Sequence, residues 1–374
     1  MNPKRVLHSV GIMNRGGLET LIMNIYRNID RSRLQFDFLV HREETGAFDN
    51  EILNLGGQIH HIPYVTKIGH FGYIGALNDF FVNHSEYQVV HSHMNAMSGL
   101  ILQSAKKQRV PIRIAHSHSA KYGNSLPEKA YKKFVSLAIP SVATHFFSCS
   151  QLAGNSLFGK KIANNKMVHI KNGVDLKRFA YKKEIRNKIR RELEVNEETW
   201  IIGHVGRFQQ MKNHDFLVDV FAEFHRKNPN SALVLVGDGI LKQKVEQKVK
   251  ELNLNKVVHF LGVRDDVHEV MQAFNVLLLP SFYEGLPVTL VEAQAIGIKC
   301  IISDAVTKDV DLDLGLVKFI SLNDPLSNWV DEISKKSQII NSHEKIIQNG
   351  YDIVTTSNWL ENFYSKEISS VNKL

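Results

Sequence analysis

The densest chemistry in the chain lies in the stretch Pro280-Ser281-Phe282-Tyr283-Glu284-Gly285-Leu286-Pro287-Val288-Thr289-Leu290-Val291-Glu292. Gly285 permits a tight turn, and Pro287 suits the first position of a helix. Leu290, Val291, Ala293, Ala295 and Ile296 continue that helix until Gly297 closes it. Val276–Leu279, just upstream, reads as a short buried strand. Strand, tight turn and helix together leave free backbone N–H groups and a positive dipole end at the turn. That is an anion site, and phosphate is its commonest occupant. Two acids frame it. Glu292 falls roughly one and a half turns into the helix, and a carboxylate beside a phosphate is better used accepting hydrogen bonds from hydroxyls. Glu284, turn, helix and Glu292 thus describe a pocket for a phosphate with sugars on either side. The plainer alternative makes both acids solvated charges at a helix start.

A matching pair of cations follows the strand Trp200–Val205, in Gly206-Arg207-Phe208-Gln209-Gln210-Met211-Lys212-Asn213. Arg207 and Lys212 there could neutralise a diphosphate and stabilise the charge that develops as it departs. Gly237 and Gly239 form another turn at a strand end, structural or near a nucleotide. Phe260-Leu261-Gly262-Val263-Arg264 could present backbone groups to the edge of a base. Gly16 and Gly17 sit between the opening strand and its helix, where backbone N–H groups could meet a phosphate. Two histidine pairs, His91-Ser92-His93 and His116-Ser117-His118, each follow a strand. Without acids or cysteines beside them they support a zinc site poorly, so no metal is expected.

The elements that must position these residues alternate. Strands are expected at Arg5–Val10, Phe36–Val40, Gln58–Ile62, Val89–His91, Ile112–His116 and His145–Ser148, with helices between most of them. After a break near Asn172-Gly173-Val174-Asp175 the alternation resumes at Trp200–Val205, Ala232–Val236, Val257–Leu261, Val276–Leu279 and Lys299–Ile302. This is the rhythm of two α/β domains, each a doubly wound parallel sheet, with a hinge around 172–195. The tail Trp359–Ile368 is an amphipathic helix.

A chain of 374 residues exceeds one ordinary core. Apolar content of 43% and charged content of 22% are those of a soluble globular protein, and no apolar run suits a membrane span. The start leads directly into a strand without a signal-peptide pattern. Two distant cysteines exclude a disulfide framework. Residues 1–180 hold 22 Lys and Arg against 11 Asp and Glu, whereas the remainder is slightly acidic. A basic first half suits an anionic polymer or membrane face, and no nucleic-acid motif is present. The helix-like run Pro127–Phe134 carries lysines that fit either membrane docking or simple solvation.

The double-glutamate turn resembles the signature of the retaining GT-B glycosyltransferases of family four, the type found in bacterial capsule, exopolysaccharide and lipopolysaccharide assembly. The Gly16-Gly17-Leu18-Glu19 loop, the histidine pairs, Asn172-Gly173-Val174-Asp175, and Gly206-Arg207…Lys212-Asn213 follow in the family's order. The resemblance implies two Rossmann-like domains facing across a cleft: an acceptor domain over 1–180, a nucleotide-sugar domain over 181–355, and a final helix over 356–374 crossing back to the first. It implies hexosyl or N-acetylhexosaminyl transfer from a nucleotide sugar, UDP-linked, to a glycan or lipid-linked acceptor, with retention and without an essential metal or other cofactor. Arg207 and Lys212 would hold the donor phosphates, Glu284 the sugar and Glu292 the ribose. Gly16, Gly17, Gly206, Gly237, Ser281, Gly285, Leu286, Pro287, Val288 and Thr289 would complete the cradle, with a uracil-type contact at Val263 and Arg264. A histidine facing the reacting sugar would be His118, with His116 second. The implied location is cytoplasmic, with peripheral contact to the anionic inner face of the membrane. Rivals are a UDP-sugar 2-epimerase of the same architecture and a non-catalytic sugar-nucleotide binding protein.

Overall fold

The computed structural model describes residues 3–119, 122–123, 125–336 and 343–371. The chain forms two compact units, one of residues 1–173 with 353–374, the other of residues 174–352.

The first unit is a seven-stranded, wholly parallel sheet. Its strands are β1 (Lys4–Val10), β2 (Leu34–Val40), β3 (Ile59–His61), β4 (Val89–Ser92), β5 (Ile112–Ser117), β6 (His145–Ser148) and β7 (Met167–His169), in the order β3-β2-β1-β4-β5-β6-β7. The central strands are buried along most of their length, polar residues His8, Ser9, Asp37, His91 and Ser92 included, because helices cover both faces of the sheet. β7 was not expected; it is three residues long and partly exposed, so it lacks the apolar run that marked its neighbours.

The last helix, Ile353–Val371, belongs to this unit, as the resemblance implied; residues 372–374 of the expected 356–374 segment lie outside the described residues. Ile353, Leu360, Tyr364 and Ile368 repeat at helical spacing and enter one core with Leu21, Ile25, Phe36 and Phe38. Each such side chain stabilises by about 1.5–3 kcal/mol. Glu361, 8% exposed, accepts from the Asp30 N–H at 3.0 Å and pairs with Arg33 at 3.2 Å, fixing the helix register.

The second unit repeats the plan in six parallel strands: β8 (Trp200–Val205), β9 (Ser231–Val236), β10 (Val258–Gly262), β11 (Val276–Leu279), β12 (Lys299–Ser303) and β13 (Val317–Ile320). Their order is β10-β9-β8-β11-β12-β13. β13, with Lys318 exposed at its centre, was also unexpected. The units divide at Gly173–Val174 and Asp352–Ile353, whereas the sequence placed the boundaries at 180/181 and 355/356. The reason is packing: Val174 and Leu176 are buried with Val291, Ala295, Ile346 and Tyr351 of the second unit, and Val174 N–H donates to Tyr351 O at 2.7 Å.

In each sheet the strand order reverses once, between β1 and β4 in the first and between β8 and β11 in the second. Open α/β sheets bind ligands outside the carboxyl ends of their strands at such points.

Candidate active site

The reversal point of the second sheet brings the predicted acids and cations together. β8 lies beside β11, so the loop after β8 meets the loop after β11, and Phe282 N–H donates to Met211 O at 2.9 Å. Lys212 and Glu284 thereby face each other, with Nζ 2.6 Å from Oε1 and side chains only 13% and 8% exposed. Ser281 Oγ donates to the same carboxylate oxygen at 2.9 Å. Ser281 is fully buried and its own carbonyl accepts from Ser303 Oγ. Glu284 also bridges to Val306, which braces the turn against the segment after β12.

The helix beyond the turn runs from Val288 to Ile296 and ends at Gly297 in the left-handed region, φ 87°. Pro287 occupies the capping position rather than the first helical one, with φ −71° and ψ 104°. Extended ψ at Pro287 lets the chain enter the helix from the bend at Gly285, where an added Cβ would meet nothing. The N–H groups of the first turn, at Val288 and Thr289, have no acceptor inside the helix. Leu286 is partly buried against the core of the second unit.

Arg207 is exposed on the loop after β8. That loop is stitched to its neighbours by main-chain bonds from Gly206 N–H to Val236 O at 2.9 Å, Phe208 N–H to Asp238 O at 3.0 Å, and Gly237 N–H to Gly262 O at 2.8 Å. Gly237 has φ 135°, and a Cβ there would lie 2.2 Å from Gly206 O, so glycine is required for the loops to approach. Gly206 itself packs against Lys212. Val263 is 61% exposed, while the Arg264 guanidinium grips Asp266 through two bonds of 2.7 and 2.6 Å.

Glu292 lies on the helix, partly buried, and burial pushes its carboxyl up to about 7 against the opposing charge of Arg178. Arg178 was not singled out from the sequence; it follows the Asn172-Gly173-Val174-Asp175 junction, on the Val174 side that folds with the second unit. Two further imidazoles were missed beneath Lys212. His204 and His214 are buried, 4.6 Å apart between ring centroids, with His214 stacked on Phe208. Burial, helped by the Lys212 charge, holds His214 down at about 4.

In the first unit Gly16 caps the helix Gly17–Asn28, and an added Cβ at Gly17 would meet nothing. The histidine pairs do not point apart. His91 Nε2 is 3.1 Å from His116 Nδ1, and His93 Nδ1 is 2.9 Å from His118 Nε2. His8 of β1, unnoticed in the sequence, joins them with Nδ1 3.0 Å from His93 Nε2. His8 is the register partner of His91 across β1 and β4. A polar residue near the end of β1 was the available signal.

Two Rossmann-like parallel-sheet units in one chain, one with the buried Lys212–Glu284 pair at its reversal point, fit the architecture of a GT-B glycosyltransferase. Residues 15–178 match the family model Glycosyltransferase Family 4, and residues 185–309 match Glycosyl transferases group 1. The chain is 37% identical over 372 residues to EpsF of Bacillus subtilis (strain 168), assigned as a glycosyltransferase, covering 97% of this chain and 96% of EpsF. It is 27% identical over 302 residues to the Escherichia coli UDP-Gal:alpha-D-GlcNAc-diphosphoundecaprenol alpha-1,3-galactosyltransferase, covering 75% of each chain. Among solved structures it resembles Anabaena HepE, crystallised with UDP and glucose, at 19% identity and a TM-score of 0.75 over 97% of this chain and 100% of that one. The chain belongs to the GT-B glycosyltransferases of family 4.

Proposed function

We propose that this glycosyltransferase moves a hexosyl or N-acetylhexosaminyl group from a UDP-sugar to a lipid-linked acceptor in polysaccharide biosynthesis, with retention at the anomeric carbon. The observation that carries the reading is the enclosed Lys212–Glu284 pair at the reversal point of the second sheet, beside the open N-terminus of the Val288–Ile296 helix. The donor diphosphate takes Lys212, Arg207 and the first-turn N–H groups; Glu284, released from Lys212, accepts from hydroxyls of the sugar. Glu292 accepts from the ribose, and the Val263–Arg264 backbone meets the base. Transfer breaks the bond between the anomeric carbon and the phosphate oxygen and forms one to the acceptor oxygen, whose proton passes to the leaving phosphate. Arg207, Lys212 and the helix dipole stabilise that leaving charge, so the diphosphate requires no metal. Of the two candidate histidines in the first unit, His116 is enclosed and His118 is reached by solvent, which supports His118 for the sugar-facing role.

The choice of UDP draws on the UDP-Gal named for the E. coli relative and the UDP bound to HepE, and the acceptor class on that relative's diphosphoundecaprenol substrate. No described helix is long and apolar enough to cross a membrane. The helix Leu126–Ser136 instead exposes Leu126 and Phe134, followed by Leu137, along a side shared with Lys133. That cationic, apolar surface suits peripheral contact with anionic lipid, where the acceptor's lipid would lie. The test is incubation with UDP-glucose, UDP-galactose and their N-acetyl forms plus a polyprenyl-diphosphate sugar. Release of UDP with formation of an α-linked product supports the reading. Interconversion of the nucleotide sugar without UDP release would replace it with epimerisation.

A further inference from the structure

Five histidines of the first unit, His8, His91, His93, His116 and His118, gather at the reversal point of its sheet, toward the carboxyl ends of β1, β4 and β5. They lie within two sets, His8–His91–His93 and His93–His116–His118, each with ligand atoms within 4.8 Å of one another. The second set has the features of a site. His116, 2% exposed, keeps an Nε2 that has no hydrogen-bond partner, a costly state for a buried nitrogen. His93 Nδ1 and His118 Nε2 stand 2.9 Å apart. Nitrogens on a tetrahedral zinc ion lie about 3.3 Å apart for bonds of about 2.0–2.1 Å, so a small rotation of the half-buried His118 admits one.

We propose that His93, His116 and His118 bind a zinc-type divalent transition ion, with the fourth position open on the solvent side of His118. The outer partners fit this assignment. With Nδ1 of His93 on the ion, its Nε2–H donates to His8 Nδ1 at 3.0 Å. With Nε2 of His116 on the ion, its Nδ1–H donates to His91 Nε2 at 3.1 Å, and His91 Nδ1–H in turn donates to Tyr364 Oη at 2.6 Å. Each of these two ligands is thus held in one tautomer by a second imidazole, the arrangement by which proteins orient metal-bound histidine. The Asn95 carboxamide oxygen accepts from His118 N–H at 2.9 Å and fixes that loop.

This inference shares only His118 with the donor reading, whose phosphate, ribose and base contacts lie in the second unit, so loss of ion binding and loss of UDP binding are separable outcomes. The test is competition for Zn²⁺ between the EDTA-stripped, dialysed full chain and a chromophoric chelator, followed by Co²⁺ substitution. One ion per chain and the intense visible bands of four-coordinate Co²⁺ are expected. His8→Gln, which touches only an outer nitrogen, should weaken binding by about 10–100-fold, and His116→Gln and His118→Gln by more. The His118 variant changes a partly exposed side chain and serves as the folded control, checked by circular dichroism. Failure to compete with the chelator, or unchanged affinity in both the His116 and His118 variants, would overturn the proposal.

Discussion

Replacing Lys212 by Met should do two separable things. The Lys212–Glu284 pair is 2.6 Å long and almost out of solvent, at 13% and 8% exposure, so it is not one of the screened surface pairs worth about 0–1 kcal/mol. Removing one partner of a buried pair strands the other charge, at about 3–5 kcal/mol. Ser281 Oγ still donates to Glu284, which places the expected loss near the lower end, about 3 kcal/mol. Glu284→Gln should cost a similar amount by stranding the ammonium. The double variant carries no buried charge and should be more stable than the sum of the singles by at least about 2 kcal/mol. Urea denaturation of the four proteins in the absence of nucleotide measures this cycle. Separately, losing a cation aimed at the departing diphosphate should lower kcat/KM by roughly 100–1,000-fold, assayed well below the variant's melting temperature. Additive single effects, or turnover of Lys212→Met within about fivefold of wild type, would refute the reasoning.

Glu292 offers a pH test. Its folded pKa is raised to about 7 from 4.5, so the native state holds a proton that the unfolded state has released, and stability falls as pH rises through that window. Glu292→Gln should abolish this component, worth about 3 kcal/mol at most, and raise the apparent melting temperature at pH 8 relative to pH 5, while weakening UDP binding; a pH difference profile that stays flat would count against the buried carboxyl. Gly237→Ala places a Cβ 2.2 Å from Gly206 O at a φ of 135°, and should cost more than about 2 kcal/mol in a thermal melt and disable donor binding in a nucleotide titration. Glu361→Ala leaves the Asp30 N–H and Arg33 without their acceptor and should destabilise the first unit by about 1–3 kcal/mol, read from amide exchange in the Gly17–Asn28 and Ile353–Val371 helices.

The sequence made the scaffold legible wherever a strand was buried on both faces. Val276–Leu279 and Trp200–Val205 appear at their expected limits because their apolar residues begin directly after Asn275 and Thr199 and stop at Pro280 and Gly206. Met167–His169 and Val317–Ile320 were not legible, since each is short and half-exposed and carries no such run. For the site, residue types and loop positions were readable, because strand–turn–helix junctions are local. Pairing was not. That Lys212 seats on Glu284 depends on β8 lying beside β11, and that His8 reaches His93 depends on β1 lying beside β4. Both are consequences of strand order, which no local pattern encodes. The same holds for Arg178, whose charge reaches Glu292 only because the Val174–Leu176 segment packs into the second unit.

The most direct measurement for the donor site is calorimetric titration of UDP, GDP and ADP into the wild-type chain and into Lys212→Met, in EDTA. The account predicts UDP-selective binding that EDTA leaves intact and that the Lys212 variant loses by at least about tenfold. Equal binding of UDP to both proteins, or no nucleotide binding to the wild type, would contradict it.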